Sequence, residues 1–161
     1  FSSLVNFATR LESAGANGLV LFNRFYQPDI DLDTLEVTPQ LELSSSEESL
    51  LRIRWLAILH GRLQASLAIT GGVHNTRDVL KSLLAGADVT HMCSALLRRG
   101  PGHLAVVLKG VQDWLEEREY ESIQQLKGSV SQANATDSAA FLRANYVSVL
   151  ESYQPPAGVQ W

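Results

Sequence analysis

Apolar residues recur through residues 4–14, LVNFATRLESA, at Leu4, Phe7, Ala8, Leu11 and Ala14. That spacing predicts one buried face of a helix, with Ser2 or Ser3 as N-cap and Gly15 as the stop. The pattern then changes. GLVLF at 18–22 is short and continuously apolar, as expected of a parallel strand covered on both faces. SLAIT at 66–70 repeats the pattern, and DVTHMC at 88–93 predicts a third strand. Helical spacing returns in SSSEESLLRIRWLAILHG at 44–61, where Leu50, Leu51, Trp55, Ile58 and Leu59 repeat. Ser45 with Glu48 three residues on is a capping-box pair there. NTRDVLKSLLAG predicts a helix capped by Asn75 or Thr76 and stopped by Gly86. HLAVVLKGVQDWLEERE follows the turn at 100–102 as an amphipathic helix. A helical tail holds YESIQQLKG and AAFLRANYVSVLESY, and QPPAGVQW at the end reads as irregular.

Residues 24–46 form a long polar connection crossed by alternating TLEVTPQLEL, which predicts a short strand or hairpin. Connections this long inside a compact domain are usually functional. ESAGANGLVLF at 12–22 is echoed by LLAGADVTHMC at 83–93, so one helix-to-strand joint occurs twice. Strands alternating with helices around such a repeat predict βαβ units and a parallel sheet. Three strong strands are visible, whereas a closed α/β barrel needs eight.

The 161 residues suit one domain, and 45% hydrophobic with 19% charged content is that of a soluble globular protein. A net charge of −4 without a basic stripe argues against nucleic acid or anionic lipid as partner. No apolar run approaches a membrane span, and no signal peptide is visible. The single cysteine, Cys93, makes no intrachain disulfide, and no Cys/His spacing suggests zinc, so a reducing, cytoplasmic setting is expected. The chain opens on Phe1 rather than methionine, which predicts a piece of a longer protein.

Gly71 and Gly72 leave the carboxyl end of a strand just before a helix. Such glycines either permit a tight turn or let a phosphate or carboxylate approach the backbone and the positive end of the helix dipole. HMCSAL would place Cys93 and Ser94 beside them on the neighbouring strand, where paired loops of βα barrels commonly hold phosphate. Cys93 reads as a small buried hydrophobe. Asn23 ends the first strand as either a ligand-facing amide or a turn former, and Arg24 after it as either an anion partner or a solvated surface residue. His60, His74, His91 and His103 lack a spaced partner for metal binding or for a nucleophile–base pair. Trp55 and Trp114 read as core.

Read together, LVLFNRF, AITGGVHNTRDVLKSLLAGADVTHMCSALLRRGPG and the helix leading to YESIQQLKG resemble the carboxyl-terminal portion of the dihydroorotate dehydrogenase family. Its bacterial dihydroorotate dehydrogenase-like members are most similar, and the likeness runs from about Leu4 to about Gly128. The resemblance implies an α/β fold, part of an FMN-binding (β/α)8 TIM barrel whose sixth, seventh and eighth strands are those above. It implies that Gly71, Gly72, Cys93 and Ser94 give donors to the FMN phosphate and that Phe22 flanks the flavin. Asn23, with Arg24 beside it, would face a dihydropyrimidine-like substrate. Three departures stand out: Cys93 replaces a usual Gly, Arg24 a usual Ser or Thr, and ELSSSEES a Gly-rich flavin-contacting segment, where Ser44, Ser45 or Ser46 would substitute as donors. The family's catalytic Cys or Ser base and its strand-five lysine fall on segments this chain does not contain.

The expected organisation is therefore a partial barrel over 1–128 and a helical tail over 129–161. The expected function is FMN-dependent oxidation of dihydroorotate or a related compound in pyrimidine biosynthesis, with this fragment alone inactive. The alternatives are a non-catalytic phosphate-ligand-binding half-barrel and a flavin reductase with another substrate. Two unpaired sheet edges and one uncovered face predict that the fragment associates with the missing part of the barrel, dimerises or aggregates.

Overall fold

The computed structural model describes residues 3–25, 28–39, 41–137, 141, 150 and 152. Helix α1 (Leu4–Ser13) precedes strand β1 (Gly18–Leu21), and the long connection carries β2 (Asp29–Asp31) and β3 (Glu36–Thr38). A single turn at Ser46–Glu48 leads into α2 (Ser49–Leu59), β4 (Ser66–Thr70), α3 (Thr76–Ala85) and β5 (Val89–His91). Helices α4 (Ser94–Arg99), α5 (His103–Glu117) and α6 (Ile123–Leu126) complete the described elements.

Strands β1, β4 and β5 form a parallel sheet in the order β1-β4-β5, so the longest apolar strand is central. Side chains alternate between its faces. Leu19 and Leu21 lie in register with Leu67 and Ile69 and join Ala8, Leu56 and Leu59 in the main core against the helices. The opposite face carries Val20, Ala68 and Val89 in one row. Val20 is 54% and Val89 49% exposed. The expectation that β1 is covered on both faces is therefore corrected: among the described residues it is an edge strand, and its second face is open. Three parallel strands with one helix-covered and one open face are part of a (β/α)8 barrel, whose inner face other strands would close.

The repeated joint is real at the level of hydrogen bonds. The Ala16 N–H donates to Leu11 O at 3.0 Å and the Ala87 N–H to Ser82 O at 2.9 Å. Each is the six-to-one bond that ends a helix over a left-handed glycine, here Gly15 and Gly86. The expected hairpin is the antiparallel pair β2–β3, and Asp31 Oδ1 accepts from the N–H groups of Asp33 and Thr34 to close its turn.

A second core joins Leu80 and Leu83 of α3 to Val111 of α5 and Leu126 of α6, with Trp114 stacked on Tyr120 at 5.7 Å. The chain after α6 returns to the body, since Gly128 and Val130 donate to Leu83 O and Leu84 O, and Gln132 to Ala57 O. Helix α4 lies where only a strand-end loop is expected. Most of AAFLRANYVSVLESY, and all of QPPAGVQW, lie outside the described residues. Among the described residues no helix is long and apolar enough to cross a membrane.

Candidate functional site

Parallel strands deliver their carboxyl ends to one edge of a sheet. β1 continues into Phe22, Asn23 and Arg24, while the register of Thr70 with His91 sends Gly71–Gly72 and Cys93–Ser94 out side by side. The polar segment 42–49, here the serine loop, is tied to all three ends. Arg24 Nε is paired with Glu48 Oε2 at 2.9 Å, and its Nη1 donates to Glu42 O. The Ser44 N–H donates to Ser94 Oγ at 3.2 Å, and Arg98 Nη2 to Leu43 O at 3.0 Å. The Ser45 N–H donates to Glu48 Oε1 at 3.2 Å, the reciprocal half of the expected capping box.

The same loop reaches the start of α3. Ser44 Oγ and His74 Nε2 are 2.9 Å apart, both buried. Ser46 Oγ donates to Asp78 Oδ2 at 2.7 Å, and this oxygen also accepts from the His74 N–H at 2.9 Å. Asn75 caps α3 by accepting from the Asp78 N–H. The loop N–H just before α3 is thus taken by the chain's own buried carboxylate, and within α3 the Asp78 N–H is taken by the Asn75 cap. Of the three candidate donor serines, Ser44 and Ser46 turn inward and Ser45 stays exposed. Burial holds the His74 imidazolium below the usual histidine range; Arg98 and Arg99 push the same way, against Asp78 and Glu48.

The two glycines make room for the chain itself. Both have φ of +84°, which a side chain would strain. A Cβ on Gly72 would stand 2.4 Å from the Ser49 N, so this glycine lets the start of α2 pack on the turn. A Cβ on Gly71 would stand 3.1 Å from Cζ and Nη2 of Arg52. Arg52 extends from α2 across the strand ends, with Nε donating to Phe22 O at 3.2 Å, Nη1 to Glu48 O, and its guanidinium 5.2 Å from the centre of the Phe22 ring.

The structure thus gathers all seven sequence-predicted residues on one edge in different states. Phe22 is half-buried under Arg52; Asn23 is exposed, its Oδ1 taken by the Arg24 N–H at 3.0 Å. Arg24 is engaged with the serine loop. Cys93 is exposed rather than buried, and Ser94 opens α4, where its N–H has no acceptor inside the helix. Sequence reasoning missed Arg52 and the Ser44–His74 and Ser46–Asp78 pairs. For Arg52 a signal existed, because it sits four and seven residues before Leu56 and Leu59, a charge on the buried stripe of α2. A separate cleft of about 410 Å³, lined by His60, Gln64, Asp88 and Lys127 among others, lies at the amino ends of β4 and β5 and touches none of these residues.

No family model matches the chain. It is 30% identical over 115 residues to a dihydroorotate dehydrogenase (quinone) of Allorhizobium ampelinum, covering 70% of this chain and 32% of that protein. It is 24% identical over 129 residues to the catalytic subunit of a dihydroorotate dehydrogenase B (NAD(+)) of Endomicrobium trichonymphae, covering 77% and 41%. A crystal structure of ligand-free dihydroorotate dehydrogenase from Eimeria tenella superposes with a TM-score of 0.62 at 19% identity, over 77% of this chain and 35% of that one. The chain thus spans about a third to two fifths of the length of these relatives. By these sequence matches, and by an α/β architecture shared with part of a solved barrel, the chain belongs to the dihydroorotate dehydrogenase family.

Proposed function

We propose that this chain supplies the phosphate end and one substrate-facing wall of an FMN-dependent oxidoreductase that oxidises dihydroorotate or a related dihydropyrimidine-like compound. The observation that carries the reading is the convergence of Gly71–Gly72 and Cys93–Ser94 at paired strand ends, where βα barrels commonly hold phosphate. The donor set suits a phosphate monoester: Ser94 opens a helix, and the cations Arg52 and Arg98 lie on the same rim. Phe22 offers a half-buried aromatic surface to a flat ring system, and Asn23 an exposed amide. FMN supplies acceptance of two electrons as hydride when bound; the chain's part is to hold and orient. Asn23 would direct its amide donor to a ring carbonyl, and the serine loop would exclude water from one side of the pocket. The proton-abstracting base would come from the part of the barrel outside this chain.

The intact protein is expected to purify with a flavin absorbance that bleaches on adding dihydroorotate, while this chain alone with added FMN gives no turnover. A colourless intact protein that binds no FMN at micromolar concentration would sink the reading. Turnover by the isolated chain would contradict the assignment of the base. A second reading, another reduced substrate for the same flavin, is favoured by Arg24, which brings a cation to the end of β1 and draws the serine loop to the pocket mouth.

A further inference from the structure

We infer that Arg52 is the anion-recognising side chain of this edge and contacts a phosphate monoester held at Gly71–Gly72. The inference rests on the flavin reading only for the identity of the phosphate's bearer. Arg52 is 6% exposed, yet among the described residues no carboxylate lies within ion-pair distance of it. The nearby acid, Glu48, pairs its carboxylate with Arg24 and gives Arg52 only its backbone carbonyl, so the Arg52 charge has no carboxylate of its own. Nε and Nη1 are used on the carbonyls of Phe22 and Glu48, whereas Nη2 donates to no described residue and lies against Gly71.

A buried guanidinium without a counter-ion is costly, and burial pulls its pKa down. Its planar fork suits two phosphate oxygens, and Gly71 is the residue whose missing side chain brings that fork to the turn. The start of α3 is already capped by Asn75, which takes the Asp78 N–H, and the His74 N–H before it is taken by Asp78 Oδ2. Arg98 is exposed and engaged with Leu43 O, so it adds a screened charge at the rim rather than a desolvated contact.

The test compares FMN with riboflavin, which lacks the phosphate, by flavin-fluorescence quenching on the intact protein, together with the thermal shift caused by inorganic phosphate. A charge-assisted hydrogen bond is worth about 10- to 100-fold in affinity. Arg52→Gln is therefore expected to weaken FMN by about that factor, leave riboflavin within about twofold, and abolish the phosphate-induced shift. Arg52→Lys keeps the charge without the fork and should fall between. If Arg52→Gln fails to fold, Arg52→Lys decides alone: a reduced FMN-to-riboflavin ratio supports the inference and an unchanged ratio overturns it. Equal losses for both flavins would mark Arg52 as merely structural and overturn the inference. Should the wild type bind neither flavin but be stabilised by phosphate through Arg52, the inference stands and the flavin reading falls. Should it bind FMN with no dependence on Arg52, the reverse holds.

Discussion

At the scale of single residues, the adjacent glycines have different partners and should respond differently to a methyl group. At Gly72 the added carbon would meet backbone atoms of Ser49, which cannot swing aside, whereas at Gly71 it would meet the end of the Arg52 side chain, which can. Both substitutions carry the cost of a left-handed backbone, about 1–2 kcal/mol. Gly72→Ala adds a backbone collision and should lose roughly 3 kcal/mol or more, against about 1–2 kcal/mol for Gly71→Ala. Urea midpoints at constant m-value measure the difference, and equal losses would mean that α2 shifts without penalty. In the sequence the glycine pair was legible as a special turn at a strand end, but its neighbours, Ser49 and Arg52, lie about twenty residues away and only the fold brings them there. Arg24 shows the same limit: its position after β1 was readable, and its commitment to Glu48 was not.

At the scale of elements, strands and helices were legible because hydrophobic period, caps and glycine stops agreed. The face of α2 was not. Leu50 and Leu51 fit a helical repeat yet are exposed, while Ser49 and Arg52 are buried. The spacing of Arg52 with Leu56 and Leu59 marks the buried stripe, but periodicity cannot report that the start of this helix packs against a polar strand-end turn instead of an apolar core. The serine loop was readable only as long and polar; its order comes from contacts with α3 and α4. His74 makes that order sensitive to pH. Its imidazole faces Ser44 and Glu48 on the loop side, Asp78 on α3, Arg98 and Arg99 on α4, and through its carbonyl His103 on α5, whose Nε2 donates to it at 2.7 Å. Because the folded-state pKa lies below the ordinary 6.5, the unfolded chain takes up a proton first as the solution acidifies. The stability His74 contributes is therefore complete above pH 6.5 and declines as pH falls through the folded value. His74→Gln keeps a hydrogen-bonding group near Ser44 but cannot titrate. The wild-type thermal midpoint should drop more than the variant's between pH 7 and pH 5 under matched buffers. Parallel curves would show that Ser44–His74 is not coupled to stability.

At the scale of the whole molecule, three strands against the eight of a closed barrel were countable in the sequence, and the open row Val20–Ala68–Val89 is the physical form of that shortfall. Which face lies open could not be counted, because a short apolar run looks the same whichever side the helices cover. In the intact protein these valines would line the barrel interior, where close packing tolerates little change, whereas in the isolated chain they meet water. One pair of substitutions should therefore have opposite effects in the two settings. Val20→Lys with Val89→Lys replaces exposed apolar surface by charge in the isolated chain, leaving its helix-facing core intact, and should shift it from associated species toward monomer in light scattering at matched concentration. The same pair in the intact protein buries two unpaired ammonium groups and should lose at least about 2 kcal/mol of stability. If the isolated chain is monomeric without the lysines, the exposed sheet face does not drive its association; if the intact protein accepts them at no cost, this face is not the barrel's interior and the strands close on something else.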